Sequence, residues 1–325
     1  MPFHVLVTNS DIPKKALDLL VDNDCVIDQW SRPGIMPKSE ILKRVSEVDA
    51  IFCTLNDKIT DDIVNSCSRV KVISTMSVGA DHLNKPAIQS KKIRIGYTPE
   101  VLTDTTAELI VCLTLTTLRR TLEGSIAALN GKWPDSWNPQ WMCGRSVKNA
   151  TIGFVGFGRI NQAVASRLIG FQPTAILYTC PSKKSEEVET KFNASWCESL
   201  DLLLSKSDVV IVCCSLTAST TKLMSFKQFE QMKKGAYFIN ASRGAVVDQE
   251  ALLEYLKNGH LAGAGLDVTT PEPLPATHPL FAQPNCVIFP HMGSACIETR
   301  LDMAMLTSKN IIAALHGKEM PAEWH

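Results

Sequence analysis

Apolar positions along the chain follow two rhythms. Short β-branched runs occupy residues 5–8, 25–30, 50–53, 70–75 and 93–97. Between them, apolar residues recur at helical spacing, as in 13–21 and 38–48. This alternation predicts parallel strands with helices on both faces of a sheet. One long apolar helix pattern follows over 103–129, with Asp104 and Glu108 in its early turns and Arg119-Arg120 later. Acids near the start and bases further along suit the helix dipole. A loop rich in Trp and Pro comes next, carrying Trp133, Trp137, Pro139 and Trp141.

A second alternating series then begins, with expected strands at 151–155, 175–179, 209–213, 236–240, 263–268 and 286–289. A last helix is expected over about 297–315. The second series is complete by about residue 292, so the last helix is free to return to the first unit. The expected fold is therefore α/β, with two doubly wound parallel-sheet domains. One domain comprises 1–103 and 296–325, and the other, 104–295, is inserted in it.

Length agrees with this division, since 325 residues suit about two domains. Thirty-three Lys and Arg balance thirty-three Asp and Glu, so no general basic field exists for nucleic acid or an anionic membrane. Any anion site must be local. Eleven cysteines without a C-x-x-C pair indicate neither a zinc ribbon nor a redox pair, and no metal is expected. Cys53, Cys112, Cys213, Cys214 and Cys286 lie in apolar runs and read as buried free thiols of a reducing compartment. No stretch approaches the ~20 apolar residues of a membrane span. The first residues enter a strand directly, so a signal peptide is not expected, nor does the tail 322–325 read as a sorting signal. Cytoplasm is the expected location.

Gly156-Phe157-Gly158 directly follows an expected strand and opens a helix. In that context the first glycine permits a tight turn and the second allows backbone to approach a pyrophosphate. The helix N-terminus then favours the anion. The third fingerprint position holds Asn161 instead of a small residue. Its bulk predicts a slightly displaced helix or an outward side chain. Roughly twenty residues on, an NAD site usually places an acid for the ribose. Here Thr179-Cys180-Pro181-Ser182-Lys183-Lys184 has none before Glu186. Ser182, Lys183 and Lys184 suit a 2′-phosphate, so NADP(H) is the expected cofactor, with NAD(H) the alternative.

Three further strands end in reactive groups. Arg243 lies just beyond 236–240, Asp267 and Glu272 lie at and after 263–268, and His291 lies at the end of 286–289. Ligands of open α/β sheets bind beyond the carboxyl ends of strands. Carbonyl reduction uses these residue types. A His can deliver the proton to oxygen. A carboxylate favours the imidazolium and fixes the ring. A guanidinium can clamp a carboxylate and polarise the carbonyl beside it.

Together with Val78-Gly79-Ala80-Asp81-His82-Leu83 and residues 98–108, 239–248, 265–275 and 290–295, these motifs resemble the D-isomer-specific 2-hydroxyacid dehydrogenases. Within that family, the wording of 74–79 and 267–275 resembles the animal-type branch that reduces glyoxylate and hydroxypyruvate. The resemblance implies a Rossmann-type cofactor domain inserted into a flavodoxin-like substrate domain. It implies Arg243 as substrate clamp, His291 as acid/base and Glu272 as its partner. Backbone N–H groups of Val78 and Gly79 would hold the substrate carboxylate. Gly158, Arg159 and Ile160 would meet the pyrophosphate. Thr106, Ser215, Ala241, Asp267 and Gly293 would line the rest of the cofactor, Asp267 near the nicotinamide amide. The substrate would lie between domains. The implied assembly is a homodimer that uses the long helix and the Trp-rich loop. Other substrates within the class, a phosphoglycerate or a broad range of 2-oxo acids, stay open at this stage. So does a dinucleotide-sensing corepressor-like protein, although the chain has no long polar tail.

Overall fold

The computed structural model describes residues 1–324; His325, the last residue of the expected first domain, lies outside the described residues. It divides into two compact units, one of residues 1–102 with 294 onward, the other of residues 103–293.

The first unit runs β1 (Phe3–Val7), α1 (Lys14–Val21), β2 (Cys25–Gln29), α2 (Lys38–Arg44), β3 (Ala50–Cys53), α3 (Asp61–Ser66), β4 (Val72–Thr75), α4 (Lys85–Ser90) and β5 (Arg94–Gly96). The second runs α5 (Thr103–Arg119), α6 (Thr121–Leu129), β6 (Thr151–Val155), α7 (Arg159–Leu168), β7 (Ala175–Thr179), α8 (Glu186–Phe192), β8 (Ala194–Trp196), α9 (Leu200–Lys206), β9 (Val209–Val212), α10 (Phe226–Gln231), β10 (Ala236–Asn240), α11 (Gln249–Lys257), β11 (Leu261–Leu266) and β12 (Cys286–Ile288). The chain then returns to the first unit as α12 (Ile297–Leu315).

In the first unit the sheet order among the described residues is β2-β1-β3-β4-β5, all parallel. That is the flavodoxin-like order. Strand residues alternate between two buried faces. Leu6, Ile51, Cys53, Ile73 and Ile95 join a core with Ile41, Ile63, Val64 and Ile88 from α2, α3 and α4. On the opposite face, α12 packs against α1, β3, β4 and β5. Such fully buried aliphatic side chains contribute about 1.5–3 kcal/mol each.

The tail beyond α12 adds an antiparallel bridge to the β5 edge, Gly96 opposite Glu323. Trp324 N–H donates to Ile95 O at 2.8 Å, and Arg94 pairs with the Glu323 carboxylate. Lys85 Nζ sits 4.5 Å from the centroid of the Trp324 ring. The buried Asn310 ties α12 to both partners, donating to Tyr97 O and accepting from Ala322 N–H.

In the second unit the order among the described residues is β12-β11-β10-β9-β6-β7-β8. Counted within the unit, this is the doubly wound dinucleotide-fold order with one extra edge strand. The chain reverses direction across the sheet between β6 and β9, at the glycine turn. One face packs Phe154, Tyr178, Ile211 and Ile239 on α5 and α7. The other packs Val212, Phe238 and Leu266 with Leu203, Phe229 and Leu252 from α9, α10 and α11.

Three expectations are corrected here. The helix over 103–129 is two helices, because Arg120 adopts a left-handed conformation with φ 54°. The returning chain takes one of the carbonyls freed at that break, with Arg145 N–H donating to Leu118 O at 2.9 Å. The short strand β8 was not expected, since Ala194-Ser195-Trp196 holds no β-branched residue. Cys112 is exposed, not buried, because it lies on the outward side of α5; Cys143 and Cys296 are exposed as well. No helix among the described residues is long and apolar enough to cross a membrane.

Candidate active site

The second unit brings Arg243, Asp267, Glu272 and His291 to the carboxyl ends of β10, β11 and β12. Backbone bonds step across these ends. Ala241 N–H donates to Val212 O, Asp267 N–H to Asn240 O, and Phe289 N–H to Leu266 O. The loops therefore leave the sheet in register.

Each reactive group sits on a turn that buried polar groups hold. Asn240, wholly buried, accepts from Ser242 N–H and Oγ–H and donates from Nδ2 to Arg243 O at 3.1 Å. Gly244 is required by packing, because a Cβ there would lie 1.9 Å from Thr269 O. This close approach places the Arg243 turn against the loop that carries Glu272. Arg243 itself donates from one guanidinium nitrogen to Ser242 O at 2.9 Å.

His291 Nδ1 and Glu272 Oε2 are 2.8 Å apart, and the other Glu272 oxygen accepts from Thr269 N–H at 3.0 Å. Burial pushes the Glu272 carboxyl up. The hydrogen bond and charge of His291, the Thr269 N–H and the Arg243 guanidinium outweigh this and hold it below its ordinary value. Because Glu272 occupies Nδ1, Nε2 is the ring nitrogen left for a substrate. His291 has φ 54°. Its backbone N–H donates to Asp267 O at 2.9 Å, while the Asp267 carboxylate accepts from Met292 N–H at 2.8 Å and Gly293 N–H at 2.9 Å. Burial pushes the Asp267 carboxyl up to about 6, against these N–H donors and His291; Glu272 adds to the rise. Asp267 is thus a clamp on the His291 loop, a role that spacing alone does not reveal. Thr106 lies beside Gly293, its Cγ2 3.3 Å from where a Cβ at 293 would stand.

The glycine turn also fits its expected purpose. Gly156 has φ +82°, and a Cβ there would come within 3.1 Å of Cys213 O. Gly158 opens the other way, with nothing within 4 Å of a Cβ, directly ahead of α7 with Arg159 and Ile160. A phosphate group can approach backbone there. Asn161 turns inward, contrary to expectation. It is fully buried, and Nδ2 donates to Gly156 O at 2.5 Å and Val155 O at 3.4 Å. The side chain replaces the small fingerprint residue by bonding the turn it would otherwise crowd.

Ser182 and Lys183 are exposed and Lys184 is half-buried in the loop after β7. Lys183 Nζ lies 3.3 Å from Glu189 Oε2, so its charge is shared with an acid that sequence reading missed. Glu189 also accepts from the Tyr178 hydroxyl at 3.0 Å, and that hydroxyl accepts from Lys184 N–H at 2.9 Å. These bonds give the loop a defined shape. Glu189 lies beyond the usual acid position, on α8, and turns back to meet Tyr178 and Lys183, a side-chain direction that spacing does not report. Ser215 and Ala241 follow β9 and β10, Ser215 exposed and Ala241 half-buried. In the first unit, Val78 and Gly79 lie in the loop after β4.

A family model described as the NAD binding domain of the D-isomer specific 2-hydroxyacid dehydrogenases matches residues 111–293. The chain is 45% identical over 301 residues to the human glyoxylate reductase/hydroxypyruvate reductase, covering 92% of this chain and 91% of that one. The chain belongs to the D-isomer-specific 2-hydroxyacid dehydrogenase family. It is also 41% identical to the glyoxylate reductase of Thermofilum pendens, over 96% of this chain and 91% of that one. Among solved structures, a Thermus thermophilus protein is similar with TM-score 0.92 and 41% identity, over 99% and 100% of the two chains. So is the NADPH-dependent glyoxylate/hydroxypyruvate reductase of Sinorhizobium meliloti in complex with NADP and malonate, with TM-score 0.86 and 26% identity over 100% and 97%. As a member of this family, the chain is an NAD(P)-dependent 2-hydroxyacid dehydrogenase that uses a nicotinamide dinucleotide.

Proposed function

We propose that this dehydrogenase reduces glyoxylate and hydroxypyruvate to glycolate and D-glycerate with NADPH. The observation that carries the reading is the His291–Glu272 pair at 2.8 Å on the turns beyond β11 and β12, in the same unit as the glycine turn. The dinucleotide, when bound, supplies hydride to the carbonyl carbon. His291 gives a proton from Nε2 to the carbonyl oxygen, and Glu272 steadies the imidazolium before the transfer. Arg243 pairs with the substrate carboxylate and draws charge toward the carbonyl oxygen. Val78 and Gly79 would offer backbone N–H groups to a substrate carboxylate.

Gly158, Arg159 and Ile160 would hold the pyrophosphate. Ser182 and Lys184 would meet the 2′-phosphate, with Lys183 contributing what its bond to Glu189 leaves. Thr106, Ser215, Ala241 and Gly293 would line the remainder, and Asp267 would sit near the nicotinamide amide. Exposed Leu122, Ile126, Leu129, Trp133 and Trp137 support a homodimer formed through α6 and the loop after it. Exposed thiols at Cys112, Cys143 and Cys296 suit the reducing cytoplasm.

A steady-state panel tests the reading: NADPH and NADH, each with glyoxylate, hydroxypyruvate and pyruvate. NADPH should exceed NADH in kcat/KM, and both short substrates should exceed pyruvate. Equal efficiency with NADH removes the cofactor preference. Pyruvate as the best substrate removes the substrate reading.

A further inference from the structure

The loop after β4 carries no charge at Val78 or Gly79, yet a string of polar groups stands behind it. Gly79 O accepts from the Ser77 hydroxyl at 2.7 Å. Ser77 Oγ lies 2.8 Å from Thr75 Oγ1, which lies 2.9 Å from His82 Nε2. Thr75 is wholly buried and Ser77 is 4% exposed.

A carbonyl can only accept, so one proton order satisfies the string. Ser77 must donate to Gly79, Thr75 must donate to Ser77, and His82 must donate from Nε2 to Thr75. We propose that this directed relay makes Ser77 a positioning residue that aims the Val78 and Gly79 N–H groups at the carboxylate of the 2-oxo acid. The proposal rests on the reading above that those two N–H groups hold the carboxylate.

Peptide planarity carries the argument further. Ser77 C=O and Val78 N–H belong to one rigid plane and point in opposite directions. Ser77 O accepts from Thr98 N–H at 2.9 Å, at the start of the segment that follows β5. Val78 N–H therefore points away from Thr98. At the far end, the Ser77 hydroxyl fixes the plane that begins with Gly79 C=O. The Gly79 N–H lies in the plane between these two, and its swing is limited from both sides. Breaking a buried hydroxyl string leaves its members without partners, so the order is robust.

The experiment compares Ser77→Ala, Thr75→Val and Thr75→Ser with the wild type. The readouts are KM and kcat for glyoxylate, and NADPH dissociation followed by its fluorescence. Ser77→Ala should raise KM about tenfold, the usual scale for one buried hydrogen bond, with NADPH binding within twofold of wild type. Thr75→Val should move KM in the same direction by less. Thr75→Ser, which keeps the hydroxyl, should stay near wild type. Unchanged KM in Ser77→Ala and Thr75→Val overturns the relay. So does an equal loss of NADPH affinity, or a Thr75→Ser variant as impaired as Thr75→Val. Should Ser77→Ala not fold, the two Thr75 variants decide the matter. A separate arm follows the Val78 and Gly79 amide resonances of the wild-type holoenzyme as oxamate is added. No movement there overturns the carboxylate reading itself, whereas movement with unchanged KM in the variants overturns only the relay.

Discussion

Asp57 in the first unit and Asp267 in the second are both buried carboxylates beyond the carboxyl end of a parallel strand, but they are held differently. Asp57 gathers its donors on one oxygen: the Thr8 hydroxyl, Thr54 N–H and the Thr54 hydroxyl all reach Oδ2. Its Oδ1 has no hydrogen-bond partner among the described residues. Asp267 spreads its donors, taking Met292 N–H on one oxygen and Gly293 N–H on the other. Burial pushes both carboxyls up. The neighbours differ more than the carboxylates do. Asp57 sits among hydroxyls and the buried Cys53, whose thiol burial raises and Asp57 raises further. Asp267 sits beside His291 and Glu272, with Arg243 close enough for its charge to act on Glu272. The same device, a buried aspartate pinning a loop, thus serves a neutral framework in one sheet and a set of charges in the other.

If the charged loops perform the chemistry, removing His291 should have the largest effect. His291→Ala is expected to lower kcat for glyoxylate by about 10²–10⁴-fold, the scale of a general acid, measured by NADPH oxidation. Near-normal turnover would break the contrast between the two sheets. Arg243→Ala should follow, lowering kcat/KM by about 10²-fold through both constants. A change confined to cofactor affinity would take Arg243 out of the substrate site.

The smallest effect separates the two aspartates. Asp267 in the folded chain holds its proton up to about 6, whereas the unfolded group releases it near the ordinary 3.8. Its contribution to stability is therefore full below about 4 and is lost as pH rises through 6. Asp57 has the same sign. Each Asn variant removes its own slope, so wild type minus variant should favour wild type increasingly toward acid. The scale is about 1.4 kcal/mol per unit of displacement, read from denaturant unfolding at several pH values. Activity at neutral pH should fall in Asp267→Asn and change little in Asp57→Asn. A flat difference across pH 4–7 would show that the carboxyl in question is not displaced.

Both sheets were legible in the sequence because their strands are short, β-branched and regularly spaced. The glycine turn, Arg243, Glu272 and His291 were legible because each falls just past a strand. What escaped depends on contacts that form only in the folded chain. The break at Arg120 needs the return of Arg145 to Leu118 O. The inward turn of Asn161 depends on carbonyls that only the folded turn exposes. Glu189 turns back from α8 to meet Lys183 and the Tyr178 hydroxyl, and Asp267 meets Met292 and Gly293 beyond the neighbouring strand. Outward Cys112 defeats an apolar-run argument because a helix shows only one side to its core.

The return of α12 and its tail to the first unit has a consequence for synthesis on the ribosome. Residues 103–293 form an uninterrupted stretch, so the second unit holds all its own strands before the chain is finished. The first unit cannot cover one face of its sheet, or its β5 edge, until α12 and the segment through Trp324 emerge. Residues 1–102 are translated before the second unit and completed after it. For much of translation they carry a bare apolar face of the kind that chaperones recognise.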